Sequence, residues 1–236
     1  MTLLFSLLAQ TNMVEPVQAA ALDAQAAVPP LNLWSLSLKG GFIMIPIVLL
    51  SLVTIYIFVE RLLVLRDAAR QDNTFMQRIK DYIHAGDVES ALNLCKKNPT
   101  PVARLIEKGI TRLGRPMNDV LVAIENVGNI EVAKLERRFT WIATTAGGAP
   151  MLGFLGTVTG MVSAVYSMAA GEAADITTLS SGIYEALVTT VAGLVVGIIA
   201  LFAYNYLVSR VNTVVNQLEA STMEFMDLLN EPANKK

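Results

Sequence analysis

One carboxylate stands out by its surroundings. Glu185 sits in the phrase Gly182-Ile183-Tyr184-Glu185-Ala186-Leu187-Val188-Thr189-Thr190, and no Lys, Arg, Asp or Glu follows between Ala186 and Ser209. The stretch from Phe139 to Gly171 is also uncharged, so Glu172 and Asp175 are the other acids between the two runs. Each run is long enough to cross a ~30 Å hydrocarbon core, which predicts a helical hairpin in a membrane with Glu185 inside its second arm. An Asp at a helix centre costs ~2.5–3.5 kcal/mol on the insertion scale, so an acid at this depth needs a job or a partner. A carboxyl there can accept a proton or attract the positive end of a water chain. Service in helix packing alone is the alternative.

The neighbours of Glu185 follow from helix geometry. Ser181, Thr189 and Ala192 share its face by three- and four-residue spacing. Thr190 lies ~140° round the helix at ~100° per residue, so spacing alone does not join it to Glu185. In the preceding run Thr159, Ser163 and Ser167 recur every four residues, a polar stripe that must meet water or other helices. Gly153, Gly156 and Gly160 permit close helix approach there, and Gly193 and Gly197 do the same in the last run. Tight packing is the expected role of these five glycines.

A third uncharged run, Gly41 to Val59, also suits a span, with Pro46 near its start, where a missing N–H is cheap or gives a mild bend. Glu60 and Arg61 end it, and Arg66 and Arg70 follow. From Arg61 to Arg138 the pattern is helical and polar on one side. Ile79, Tyr82 and Ile83 form a face; Ala85-Gly86-Asp87 reads as a turn with Asp87 capping the next helix. That helix stops at Asn98-Pro99-Thr100-Pro101, and another covers Val102 to Leu113 before Gly114 and Pro116. A long helix is expected from about Asn118, its cap, running through Glu131 to Arg138 directly into the second span.

The resulting fold class is an all-α integral membrane protein with three transmembrane helices, two of them very long and extending into a cytoplasmic helical domain. The expected divisions are a periplasmic segment 1–40, spans 41–60, 139–171 and 177–209, a cytoplasmic helical domain 61–138, a periplasmic turn 172–176 and a cytoplasmic helix or tail 210–236. Lys and Arg crowd 61–138 and recur at Arg210, Lys235 and Lys236, whereas the first segment offers only Lys39. By the positive-inside rule the amino terminus is outside and the carboxyl terminus inside. The first segment leaves two questions open. Leu3 to Ala9 is apolar as in a signal peptide, yet no basic residue precedes it and it is only seven residues long. A short helix Ala19 to Ala27 would end at Pro29-Pro30, and Trp34 suits either a membrane–water interface or a contact with a neighbouring subunit.

Composition closes off other classes. Of 236 residues 53% are hydrophobic and 16% charged, against roughly 25% charged in ordinary soluble domains. The net charge of −2 carries no nucleic-acid stripe. A single cysteine, Cys95, excludes an internal disulfide framework and any multi-cysteine metal site, and a single histidine, His84, leaves little material for a His-based active site or a His-rich metal site. Both read as packing or surface residues. No nucleophile, base and orienting group share a phrase, so neither an enzyme nor a cofactor is expected.

Two motifs at fixed separation carry a resemblance. Ala149-Pro150-Met151-Leu152-Gly153-Phe154-Leu155-Gly156-Thr157-Val158-Thr159-Gly160-Met161, then Gly182 to Leu187 with Thr190, Gly193-Leu194 and Tyr204-Asn205, resemble the MotA/TolQ/ExbB proton-channel family, the ExbB branch above all. The resemblance covers the whole plan of three spans and a central helical domain. It implies a homo-pentamer in the bacterial inner membrane whose pore holds two helices of an ExbD-like single-span partner. It implies, too, that protons loading a partner aspartate drive a TonB-like protein, which energises transport across the outer membrane. Carried over by motif, Thr157, Glu185 and Thr190 would line the ion path, beside Thr189 on the acid's face. Membrane lipids are the remaining partner; nucleic acid is not one. Two departures stand out: Thr159 occupies a position that is often aromatic, and Gly197-Ile198-Ile199-Ala200 lacks the proline common in the third span, leaving Gly197 as the expected site of flexibility. A TolQ-like, gliding or secretion motor, or a passive membrane scaffold, are the alternatives. Four spans are usual in flagellar MotA-like stators, which argues against that branch.

Overall fold

The computed structural model describes residues 41–70, 74–169 and 176–230. Expectations for the first forty residues, for Glu172 and Asp175 and for the final lysines lie outside them. Among the described residues seven helices follow in order: α1 (Met44–Ala68), α2 (Phe75–His84), α3 (Val88–Lys97), α4 (Pro101–Ile110), α5 (Met117–Glu136), α6 (Phe139–Ala169) and α7 (Ile176–Asn230). Among the described residues there is no strand. The protein is an all-α membrane protein, with α1, α6 and α7 each long and apolar enough to cross a bilayer.

These three helices show why a membrane is required. Leu49, Leu52 and Ile55 of α1, Phe154 and Val162 of α6 and Ile199 of α7 all point away from the rest of the chain. Continuous apolar surface on this scale has to be covered by lipid or by another apolar face. Against each other, α6 and α7 pack along most of the length of α6, and α1 lies against both.

The polar half is built differently. α2 to α5 and the far part of α7 enclose Ile79, Ala103, Ile106, Ile124, Leu218 and Phe225. Fully burying a side chain such as Phe225 contributes ~1.5–3 kcal/mol. Short helices are marginal alone, so their ends are pinned. Asp87 accepts a hydrogen bond from the Ser90 N–H at 3.0 Å, as its position in the sequence predicts. Thr100 caps α4 through the Ala103 N–H at 3.3 Å, with Pro101 in the first turn, where its missing N–H has no intrahelical bond to make. The expected helix Val102 to Leu113 is the shorter α4 followed by a turn. Asn118 is not a cap: α5 starts at Met117, Pro116 holds the cap position, and Asn118 lies in the first turn.

One expectation fails outright. The long helix does not run straight into the second span. α5 stops at Glu136, Arg137 turns extended (φ −52°, ψ 132°), and Arg138 takes the left-handed conformation at φ 73° before α6 begins. No Gly or Pro marks the spot, so local propensity gave no warning. The break is held from outside, because Arg138 pairs with Glu60 at the basic end of α1. Glu60 also accepts from Arg61 at 2.9 Å, and the buried Arg61 donates to the Lys134 carbonyl at 3.2 Å. Charges read as the end of a span are thus also the joint between α1, α5 and α6. By contrast α7 is one unbroken helix of 55 residues, roughly 80 Å at 1.5 Å per residue, shared by both halves.

Candidate functional site

The contact between α6 and α7 depends on what its glycines lack. A Cβ on Gly193 would stand 2.5 Å from the Ala149 carbonyl oxygen and 2.9 Å from the Gly153 Cα. A Cβ on Gly153 would stand 2.9 Å from the Thr189 carbonyl oxygen and 3.1 Å from the Thr190 Cα. Neither neighbour is a side-chain tip that could swing away, so the two backbones approach as closely as they do only at these residues. Gly156 faces the Thr189 side chain, Gly160 faces Ala186, and Gly197 rests on Pro150. Gly197 is therefore a close-packing position within an unbroken helix.

That approach brings hydroxyls together. Thr157 Oγ1 lies 2.5 Å from Thr190 Oγ1, and both lie within reach of the Gly153 carbonyl oxygen, at 3.3 Å and 3.0 Å. Each hydroxyl has one proton and two lone pairs. The pair is satisfied with Thr157 donating to Thr190 and Thr190 to Gly153, or with the order reversed. Either hydroxyl can therefore be the donor of the pair. The Thr190 hydroxyl also reaches the Ala186 carbonyl at 3.3 Å, to which the buried Thr189 hydroxyl donates at 2.8 Å.

Glu185 lines a groove of about 460 Å³, and Thr189, one helix turn further along α7, lines it too. The groove collects both polar stripes of the sequence: Thr159, Ser163 and Ser167 from α6, and Ser181, Glu185 and Thr189 from α7. Thr189 joins the two places, since it lines the groove while its hydroxyl shares the Ala186 carbonyl with Thr190. Spacing alone separated Glu185 from Thr190 and linked nothing to Thr157. The structure pairs Thr157 with Thr190 across the interface and sets Glu185 with Thr189 beside them. The α6 stripe is the part whose partner the sequence left unnamed; its four-residue period was the available signal. Phe42 and Ile43, just before α1, also line the groove, and no spacing or motif marked them for it.

Outside the membrane helices the buried Glu131 is paired rather than poised. Burial would raise the Glu131 carboxyl, but hydrogen bonds from Arg104 (2.6 Å) and Lys134 (2.7 Å) hold it below its usual range. Burial pushes the Cys95 thiol up to about 12, with the nearby Glu107 charge adding to the rise. A neutral buried thiol is a packing residue. Among the described residues, no three His, Cys, Asp or Glu side chains gather as metal ligands.

Comparison with known proteins points the same way. Residues 97–220 match the MotA/TolQ/ExbB proton channel family. The chain is 32% identical over 183 residues to an ExbB-like protein of Synechocystis sp., covering 73% of this chain and 69% of that one. It is 28% identical over 213 residues to the biopolymer transport protein ExbB of Neisseria meningitidis serogroup A, covering 82% and 93%. It is also 27% identical over 218 residues to the Tol-Pal system protein TolQ of Haemophilus influenzae, covering 86% and 96%. The matched residues include the whole of α6 and the α7 segment bearing Glu185, Thr189 and Thr190, and on that footing the chain belongs to the MotA/TolQ/ExbB proton channel family.

Proposed function

We propose that this chain is an ExbB-like subunit of an inner-membrane motor, using the proton gradient to energise TonB-dependent transport across the outer membrane. The observation that carries the reading is Glu185 in a groove lined with hydroxyls, one of which, Thr189, shares the Ala186 carbonyl with Thr190, the partner of Thr157. Glu185 takes up or steers the proton; Thr189, Thr157 and Thr190 solvate and relay it. Each proton crossing ~100 mV releases ~2.3 kcal/mol, which drives motion only if a partner is coupled to the path. The partners in this reading are copies of the chain in a pentameric ring, an ExbD-like single-span dimer in its pore and a TonB-like protein. The basic region 61–138 lies in the cytoplasm, and the Glu185 groove opens towards the periplasmic side. The glycine contacts at Gly153, Gly156, Gly160, Gly193 and Gly197 keep α6 and α7 close enough for the hydroxyls to touch.

A TolQ-like role is the second reading, favoured by the near full-length match to a Tol-Pal protein. Deleting the gene separates them. Loss of energy-dependent uptake across the outer membrane supports the ExbB role, whereas loss of envelope integrity with normal uptake supports the TolQ role. Native mass spectrometry of the complex expressed with its gene neighbours checks the partners: a ring with a one-span partner is expected, and a lone chain would contradict it.

A further inference from the structure

The Glu185 side chain meets an element that the ion-path reading does not use. Gly41, three residues before α1, has φ +63°, in the left-handed region that residues with a Cβ rarely enter. A Cβ placed on Gly41 would overlap Glu185 Oε1, 3.0 Å from its Cδ and 3.7 Å from its Cγ. The backbone of residue 41 therefore lies directly against the carboxylate. Gly41 opens a turn in which its carbonyl accepts from the Met44 N–H at 3.2 Å, and the Phe42 carbonyl accepts from the Ile45 N–H at 3.3 Å. Phe42 and Ile43, the next two residues of that turn, line the groove beside Glu185.

We propose that Gly41 is a positioning residue for Glu185: the turn 41–43 is a stop that sets where the carboxylate sits and closes the groove at the end where α1 begins. The inference rests on the reading of Glu185 as the working acid. Position 41 requires a left-handed backbone, and a Cβ there would push the Glu185 carboxylate, a side-chain tip that can swing away, out of its present place. The carboxylate is level with Gly41, just before the first turn of α1. Moving the carboxylate by the width of a methyl group changes its distance to Thr189 and to the groove hydroxyls together. A misplacement of ~1 Å in a reacting group can cost ~100-fold in rate.

A double-mutant cycle on the full-length, detergent-extracted assembly tests this, because coupling between two sites measures their contact. Gly41→Ala lowers the melting temperature in the wild-type background and lowers it clearly less beside Glu185→Ala, where the backbone strain persists but the overlap is gone. Equal shifts in the two backgrounds would overturn the inference. If Gly41→Ala prevents assembly altogether, recovery by Glu185→Ala supports the contact and failure to recover counts against it. In cells, Gly41→Ala cuts proton-driven uptake on the order of tenfold or more at normal assembly; full uptake would also overturn the positioning role. Loss of uptake in Glu185→Gln with no coupling to Gly41 removes this inference alone. Normal uptake in Glu185→Gln removes the ion-path reading beneath it.

Discussion

α7 belongs to two regions that pack by opposite rules. Along its first half it meets α6 through Gly193 and Gly197, where an added methyl would strike backbone or Pro150. Along its second half it fills the polar domain with Leu218 and Phe225, the latter fully buried. In water, large apolar side chains are worth burying because the solvent rejects them. Inside a bilayer that drive is missing between helices, so association depends on close backbone approach and polar contacts. The hydroxyl pair of Thr157 and Thr190 is a by-product of that approach.

The contrast predicts different damage. Phe225→Ala leaves a large hole in the polar domain and costs ~3–5 kcal/mol, read as a fall in thermal stability of that half. Gly193→Val costs less by the same measure, ~1–3 kcal/mol of overpacking, but separates Thr157 from Thr190 and so removes uptake as well. If Gly193→Val left uptake whole, close approach would not matter to function. Arg104→Ala costs about 1 kcal/mol, since its partner Glu131 is buried while Arg104 itself is partly exposed. The sign of its pH effect follows from the lowered Glu131 carboxyl. That pair contributes stability above the unfolded value of about 4.3, and the contribution disappears as pH falls through the folded value. Arg104→Ala therefore flattens the loss of stability on acidification. Smallest of all is the effect at Cys95. Its thiol, raised to about 12 by burial, resists alkylation at pH 8 until the domain unfolds. Rapid labelling of the native protein would show that this half is looser than its packing.

The sequence made the spans legible because absence of charge over twenty or more residues has few other causes. Glu185 was legible for the same reason, as an acid where none is cheap. The face shared by Ser181, Glu185 and Thr189 followed from helical period, as did the stripe Thr159, Ser163 and Ser167. What period cannot show is which stripe on one helix meets which on another. So Thr157 and Thr190 came together only in the structure, through a backbone contact at Gly153. The break at Arg138 was hidden because its cause, Glu60, is 78 residues away. Gly41 was hidden for a similar reason: the side chain it lies against is on the last helix.

The most direct measurement is proton-driven uptake in cells carrying Glu185→Gln, with assembly of the complex checked in parallel. Glutamine keeps the shape and polarity of the side chain but cannot ionise. Abolished uptake with normal assembly is the predicted result. Undiminished uptake would leave Glu185 a packing residue and the chain a scaffold, contradicting the account at its centre.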